Sequence, residues 1–149
     1  MLGDKLRGGS EEPFARAMSG LCTYAIDDEA ESLEAALADL RIADAKHRLA
    51  YVLTRAALLD CERGRVESAT KRATEALGYA TLLERATEML LANAVLSRDC
   101  ELAGNREGAT RFAQEVERLR RGGAATWTRE ILSRLTEKNR TRVARQDIS

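Results

Sequence analysis

Cys22, Cys61, Cys100 and the single histidine His47 are the residues of this 149-residue chain best suited to chemistry. Thiolates and imidazole hold zinc when they converge on one centre. Two cysteines form a disulfide only when their Cα atoms lie within about 7 Å. The spacing points elsewhere. Gaps of 39 residues separate the thiols, and the same beat runs through Ala30, Ala69 and Ala109, through Leu37, Ala76 and Val116, and through Leu40, Tyr79 and Leu119. Equivalent seats on successive helical layers are about 8–10 Å apart, too far for a shared metal or a disulfide. The three thiols are therefore expected to fill one mildly apolar seat in three copies of a single unit.

His47 has Asp44 and Tyr51 at i−3 and i+4, which is ordinary helix-surface geometry. General acid–base or nucleophilic catalysis needs an activated partner within hydrogen-bond reach. The chain has no phosphate-binding glycine loop, no nucleophile elbow and no two-cysteine metal knuckle. These residues lead to the expectation of a non-enzyme with no metal and no cofactor.

The elements that position such residues are helices. The chain is 44% hydrophobic and 32% charged, with one proline and 4% aromatic residues, a mixture that favours helix over sheet. Residues 1–11 read as a loose leader and residues 138–149 as a basic polar tail, leaving 12–137 as one body. Pro13 suits a first helical turn, and the first helix runs to about Ile26. Leu33, Ala36, Leu37 and Leu40 mark a second helix. The third spans about 44–62 and stops at Gly64; the fourth spans about 66–80, with the small stripe Ala69, Ala73 and Ala76. A fifth, about 82–102, is apolar around most of its circumference, which implies neighbours on several sides. The sixth carries Ala109, Phe112, Ala113, Val116 and Leu119. A seventh, from near Thr126, presents Trp127, Ile131 and Leu135 and is expected to cap the open end.

Three helix–turn–helix units in series form a solenoid, in which each unit buries its apolar face against the next. Residues 12–135 resemble the tetratricopeptide-like (TPR-like) superfamily: Ala30, Ala69 and Ala109 match the small residue that opens each second helix, and Gly64 and Gly104 match the turn. The period of 39–40 exceeds the usual 34, and the first-helix tryptophan–leucine–glycine–tyrosine pattern and the closing proline are absent. This is the pattern of the longer, divergent repeats found in regulatory regions of bacterial transcription activators and signalling ATPases. The resemblance implies an all-α superhelix of about three hairpins plus a capping helix, working as a scaffold or regulatory module.

In such a solenoid the first helix of each hairpin lines a concave groove. On that basis His47, Tyr51 and Arg55 form one partner-binding row, and Leu91, Val95, Arg98 and Leu102 the row one layer later. Aromatic and apolar anchors with two arginines suit a peptide bearing a carboxylate. The competing account places Leu91 and Val95 in the core.

Formal net charge is zero, which gives the whole molecule no general attraction to nucleic acid or membrane. Its distribution is uneven: residues 1–50 carry 6 basic and 10 acidic side chains, while residues 118–145 carry 9 basic ones against Glu130 and Glu137. The alternative function is therefore nucleic-acid association through Arg118, Arg120, Arg121, Arg129, Arg134, Lys138, Arg140, Arg142 and Arg145, although aromatic side chains for base stacking are lacking. The same residues could meet the acidic third of a second copy and form a homo-oligomer. No apolar run approaches the ~20 residues of a membrane span, and three cysteines with no pairing pattern fit a reducing, cytoplasmic compartment.

Overall fold

The computed structural model describes residues 11–122, 131 and 133–135. Among them there is no strand, and the fold is all-α. Helices α1 (Glu11–Asp27), α2 (Glu31–Ile42), α3 (Lys46–Glu62), α4 (Val66–Leu82), α5 (Ala86–Leu102) and α6 (Arg106–Arg121) follow one another through short turns. Residues 131 and 133–135 are helical as well.

The turns set the beat. Asp44, Gly64, Glu84 and Gly104 all take the left-handed conformation, with φ of 53°, 74°, 54° and 78°. After each of them an N–H closes on a carbonyl five residues back: Ala45 on Leu40, Arg65 on Asp60, Arg85 on Ala80 and Asn105 on Cys100, at 2.8–3.0 Å. These bonds satisfy carbonyls that a helix end leaves open. A helix and its turn thus repeat every 20 residues from Asp44 to Gly104, and α3, α4 and α5 each contain 17 residues. Glycine takes this conformation without steric cost, which is why the stops at Gly64 and Gly104 are readable in the sequence. Asp44 and Glu84 do the same job without that signal. As a result α3 begins at Lys46 rather than 44, and α5 at Ala86 rather than 82.

Consecutive helices pack as neighbours throughout, and the odd-numbered helices also pack on one another, α1 on α3 and α3 on α5. Leu21, Leu33, Leu37, Leu40, Leu49 and Leu53 form one core between the first two hairpins. A second cluster joins Ala57 and Cys61 of α3, Ala69 and Ala73 of α4, and Ala92, Val95 and Leu96 of α5. Leu135 belongs to this cluster, with Ile131 and Phe112 packed against it. Trp127 lies outside the described residues, as do residues 1–10 and 138–149. No helix among the described residues is long and apolar enough to cross a membrane.

The shared cysteine seat is not what the structure contains. Cys22 is exposed, Cys61 is buried and Cys100 is intermediate. The structural period between the second and third hairpins is 40 residues, so a gap of 39 turns the side chain by about 100° on the helix. In the first hairpin α2 has only 12 residues, and the turn residues Asp28 and Asp44 stand 16 apart rather than 20. Cys22, Cys61 and Cys100 consequently lie six, three and four residues ahead of their turns at Asp28, Gly64 and Gly104. Ala30 is likewise displaced. It is the N-cap residue of α2, whereas Ala69 and Ala109 are buried inside α4 and α6. The layering rests on the turns, not on the thiols.

Candidate partner-binding site

His47, Tyr51 and Arg55 share one side of α3, where 3.6 residues per turn places i, i+4 and i+8 in a row. The row is embedded in a chain of contacts spanning three helices. The Phe14 ring of α1 meets the Tyr51 ring edge-on, with centroids 6.1 Å apart and planes at 68°. The Arg55 guanidinium lies 3.7 Å over the Tyr51 ring, and that of Arg48 lies 5.3 Å over Phe14. Arg55 Nη1 donates to Glu88 Oε1 at 3.0 Å. Arg85 donates to both Glu88 oxygens, at 3.1 and 3.2 Å, and its Nη1 reaches His47 Nδ1 at 3.3 Å.

Glu88, the acid that Arg55 and Arg85 share, is 3% exposed. Burial alone would raise its pKa, but the hydrogen bonds from Arg85 and Arg55 more than offset that and hold it below the usual carboxylate range. The Glu88 carboxylate thus lies buried between the guanidiniums of Arg55 and Arg85. Phe14, Arg48, Arg85 and Glu88 escaped the sequence reading, because nothing local marks a glutamate whose arginine partner stands 33 residues earlier.

The second row does not lie on this open face. Leu91 and Val95 are fully buried and Arg98 is 7% exposed; only Leu102 is half-buried. The all-round apolarity of α5 decides this, since α3, α4 and α6 all pack on it, and Val95 shares its cluster with Leu135. The row is core, a correction to the groove expected from spacing alone. Arg98 Nη1 approaches Cys61 Sγ at 3.5 Å, and its Nε has no partner. Burial pushes the Cys61 thiol up to about 11, with Arg98 acting in the opposite direction.

Next to it, Asp99 accepts from Thr70 Oγ1 at 2.7 Å through Oδ2, while Oδ1 is buried without a partner. Burial raises its pKa to about 6; Thr70 and Arg98 counteract this and Asp60 adds to it. An acid that holds its proton more tightly when folded contributes most stability while protonated. That contribution declines as pH climbs from about 4 to about 6. Asp99→Asn keeps an acceptor for Thr70 and removes the titration. Urea midpoints of the two proteins should agree best near pH 4, diverge in favour of Asn up to about pH 6.5 and run parallel above it. Parallel curves across the whole range would contradict this account. The comparison has to be differential, because Asp28, Glu75 and Glu88 are all held below their ordinary range and shift stability the other way.

A second polar cluster, also absent from the sequence reading, ties the first hairpin to the second. Asp60 of α3 is fully buried. Its Oδ1 accepts from the Tyr24 hydroxyl of α1, and its Oδ2 from Ser68 Oγ at 2.8 Å and Arg72 Nη1 at 2.6 Å, both of α4. Arg72 also pairs with Glu34 of α2, and Arg65 donates to the Tyr24 hydroxyl at 2.8 Å and pairs with Asp28. The guanidiniums of Arg63, Arg65 and Arg72 stand 4.9–5.7 Å from the Tyr24 ring centre. A cleft of about 830 Å³ between α2 and α4 opens beside this cluster. Its arginines are already paired: Arg41 with Glu75, Arg65 with Asp28, and Arg72 with Glu34 and Asp60.

Of the basic residues near the C-terminal end, Arg118 pairs with Glu115 and Arg120 with Glu117, and Arg134 is exposed. Arg129, Lys138, Arg140, Arg142 and Arg145 lie outside the described residues. Among the described residues no group of three or more His, Cys, Asp or Glu side chains is placed to hold a metal ion. Compared with protein families, with curated proteins and with solved structures, the chain matches none.

Proposed function

We propose that this chain is a non-catalytic interaction module of the TPR-like kind, with a regulatory or scaffolding role, which holds a protein segment on the side where α1, α3 and the first turn of α5 meet. The observation that carries this reading is the ladder Arg48–Phe14–Tyr51–Arg55–Glu88–Arg85–His47. Aromatic and arginine side chains are the residue types that dominate protein interfaces. Here they are fixed by one another on rigid helices, so little side-chain ordering opposes association. The hairpin stacking supports this reading, and the 40-residue beat favours a long-period variant over the usual 34-residue type.

Site-specific photo-crosslinking in the native host tests it. A benzophenone side chain at position 47 is expected to give discrete protein adducts. The same group at position 74, an exposed site on α4, should give none of those bands. Identical adducts from both positions, or no adducts at 47, would end the proposal.

A further inference from the structure

We propose that Val95 and Arg98 of α5 belong to a second docking surface, which the chain's own Ile131 and Leu135 hold closed. Its outside ligand is an amphipathic helix that combines aliphatic side chains four residues apart with a carboxylate. The surface goes beyond the face proposed above and shares no side chain with it. The 40-residue beat makes Val95 the counterpart, one layer on, of Arg55.

What distinguishes this layer is its cover. Leu135 is buried in one cluster with Val95, Leu96 and Cys61, and Ile131 packs against the same cluster. Ile131 and Leu135 stand at i and i+4, on one side of a helical segment. That is the spacing with which a helix seats two anchors in an apolar groove. The chain therefore supplies its own occupant. The hold is slight: Ile131 is half-buried, Ser133 and Arg134 are exposed, and apolar contact is what joins Ile131 and Leu135 to the six helices.

A charge beside Val95 says what a better occupant would add. Arg98 is one helical turn from Val95 and 7% exposed. Its Nη1 donates to Cys61 Sγ at 3.5 Å and its Nε has no partner. Among the described residues no carboxylate pairs with it; Asp99, the next residue, accepts from Thr70 instead. A buried cation whose bonded partner is a thiol is poorly compensated. A ligand that repeats the two aliphatic contacts and adds a carboxylate supplies a charge-assisted hydrogen bond, which neither Ile131 nor Leu135 can give. That difference drives the exchange.

The experiment uses the full chain and fluorescence anisotropy with two labelled helical peptides. Both carry Ile and Leu four residues apart, and they differ in having Glu or Gln one turn beyond the Leu. Leu135→Asn removes the internal anchor without adding charge. It is expected to bind the Glu peptide about tenfold or more tighter than the parent chain does, the gain for a segment seated about nine-tenths of the time or more. In that variant the Glu peptide should bind about fivefold or more tighter than the Gln peptide. Adding Arg98→Gln should erase the difference. Circular dichroism with a thermal midpoint checks that each variant folds, and Ile131→Ala, at a half-buried position, takes the place of Leu135→Asn should that one unfold. Amide exchange on the parent chain needs no variant: saturating Glu peptide should speed exchange at residues 131 and 133–135. Unchanged affinity in the opened variant, equal binding of the two peptides to it, a preference that survives Arg98→Gln, or unchanged exchange at those residues would overturn the inference. The adducts from position 47 read the other face, so the failure of either proposal is seen separately.

Discussion

Asp60→Ala is expected to destabilise the protein by about 3–5 kcal/mol, the range found when one partner of a buried ion pair is removed. The carboxylate has no exposure and receives Tyr24, Ser68 and Arg72 from two other helices. Alanine would leave the Arg72 guanidinium, itself 8% exposed, with Glu34 as its only carboxylate partner, and would strand the Tyr24 hydroxyl's proton. Removing both charges together should cost less, because neither is then left buried without its partner. Asp60→Leu combined with Arg72→Met is therefore expected to lie well above Asp60→Ala in urea midpoint. If the double variant were the less stable of the two, the pairing would not be what holds this seam.

Gly20→Ala and Gly78→Ala should move stability in opposite directions. In a helix interior alanine is ordinarily preferred to glycine by about 0.5–1 kcal/mol. At Gly78 a new Cβ meets nothing within 4 Å, so the ordinary gain should appear. At Gly20 it would sit 2.9 Å from both the N and Cα of Leu33 and 3.0 Å from the carbonyl carbon of Ser32. Those atoms are backbone of α2 and cannot swing aside, so α1 and α2 must separate. Overpacking of this kind typically costs about 1–3 kcal/mol, enough to outweigh the propensity gain. Thermal midpoints rising for Gly78→Ala and falling for Gly20→Ala would confirm the close approach; a rise at both positions would refute it.

Much of the fold was legible because helix period and turn chemistry are local. Leu33, Leu37 and Leu40 declare the buried side of α2, and Gly64 and Gly104 declare where α3 and α5 end. Glu84 declares nothing: a glutamate in the left-handed region looks like any exposed acid, so apolar spacing alone makes α5 four residues longer than it is. The cysteine interval misled for a related reason. Counting along a chain does not reveal that α2 is more than a turn shorter than α3, α4 and α5, or that a one-residue slip rotates a side chain out of line.

At the candidate site, half of the pattern was local and half was not. His47, Tyr51 and Arg55 align by helical spacing alone. Leu91 and Val95 align equally well, yet they are core, because spacing says which residues share a side and not what covers it. Phe14 beside Tyr51, Glu88 beneath Arg55 and Tyr24 against Asp60 unite residues more than 30 positions apart. Such pairs are created by stacking and leave no trace in either local sequence.

The even placement of Asp44, Gly64, Glu84 and Gly104 has an evolutionary corollary. Each left-handed residue is an interchangeable joint, so excising or duplicating the 40-residue cassette from Gly64 to Ala103 would rejoin the chain at a matching joint with every later side chain still in phase. Lengthening by whole cassettes preserves the molecule's grammar, whereas gaining or losing a single residue between joints would scramble everything downstream of it.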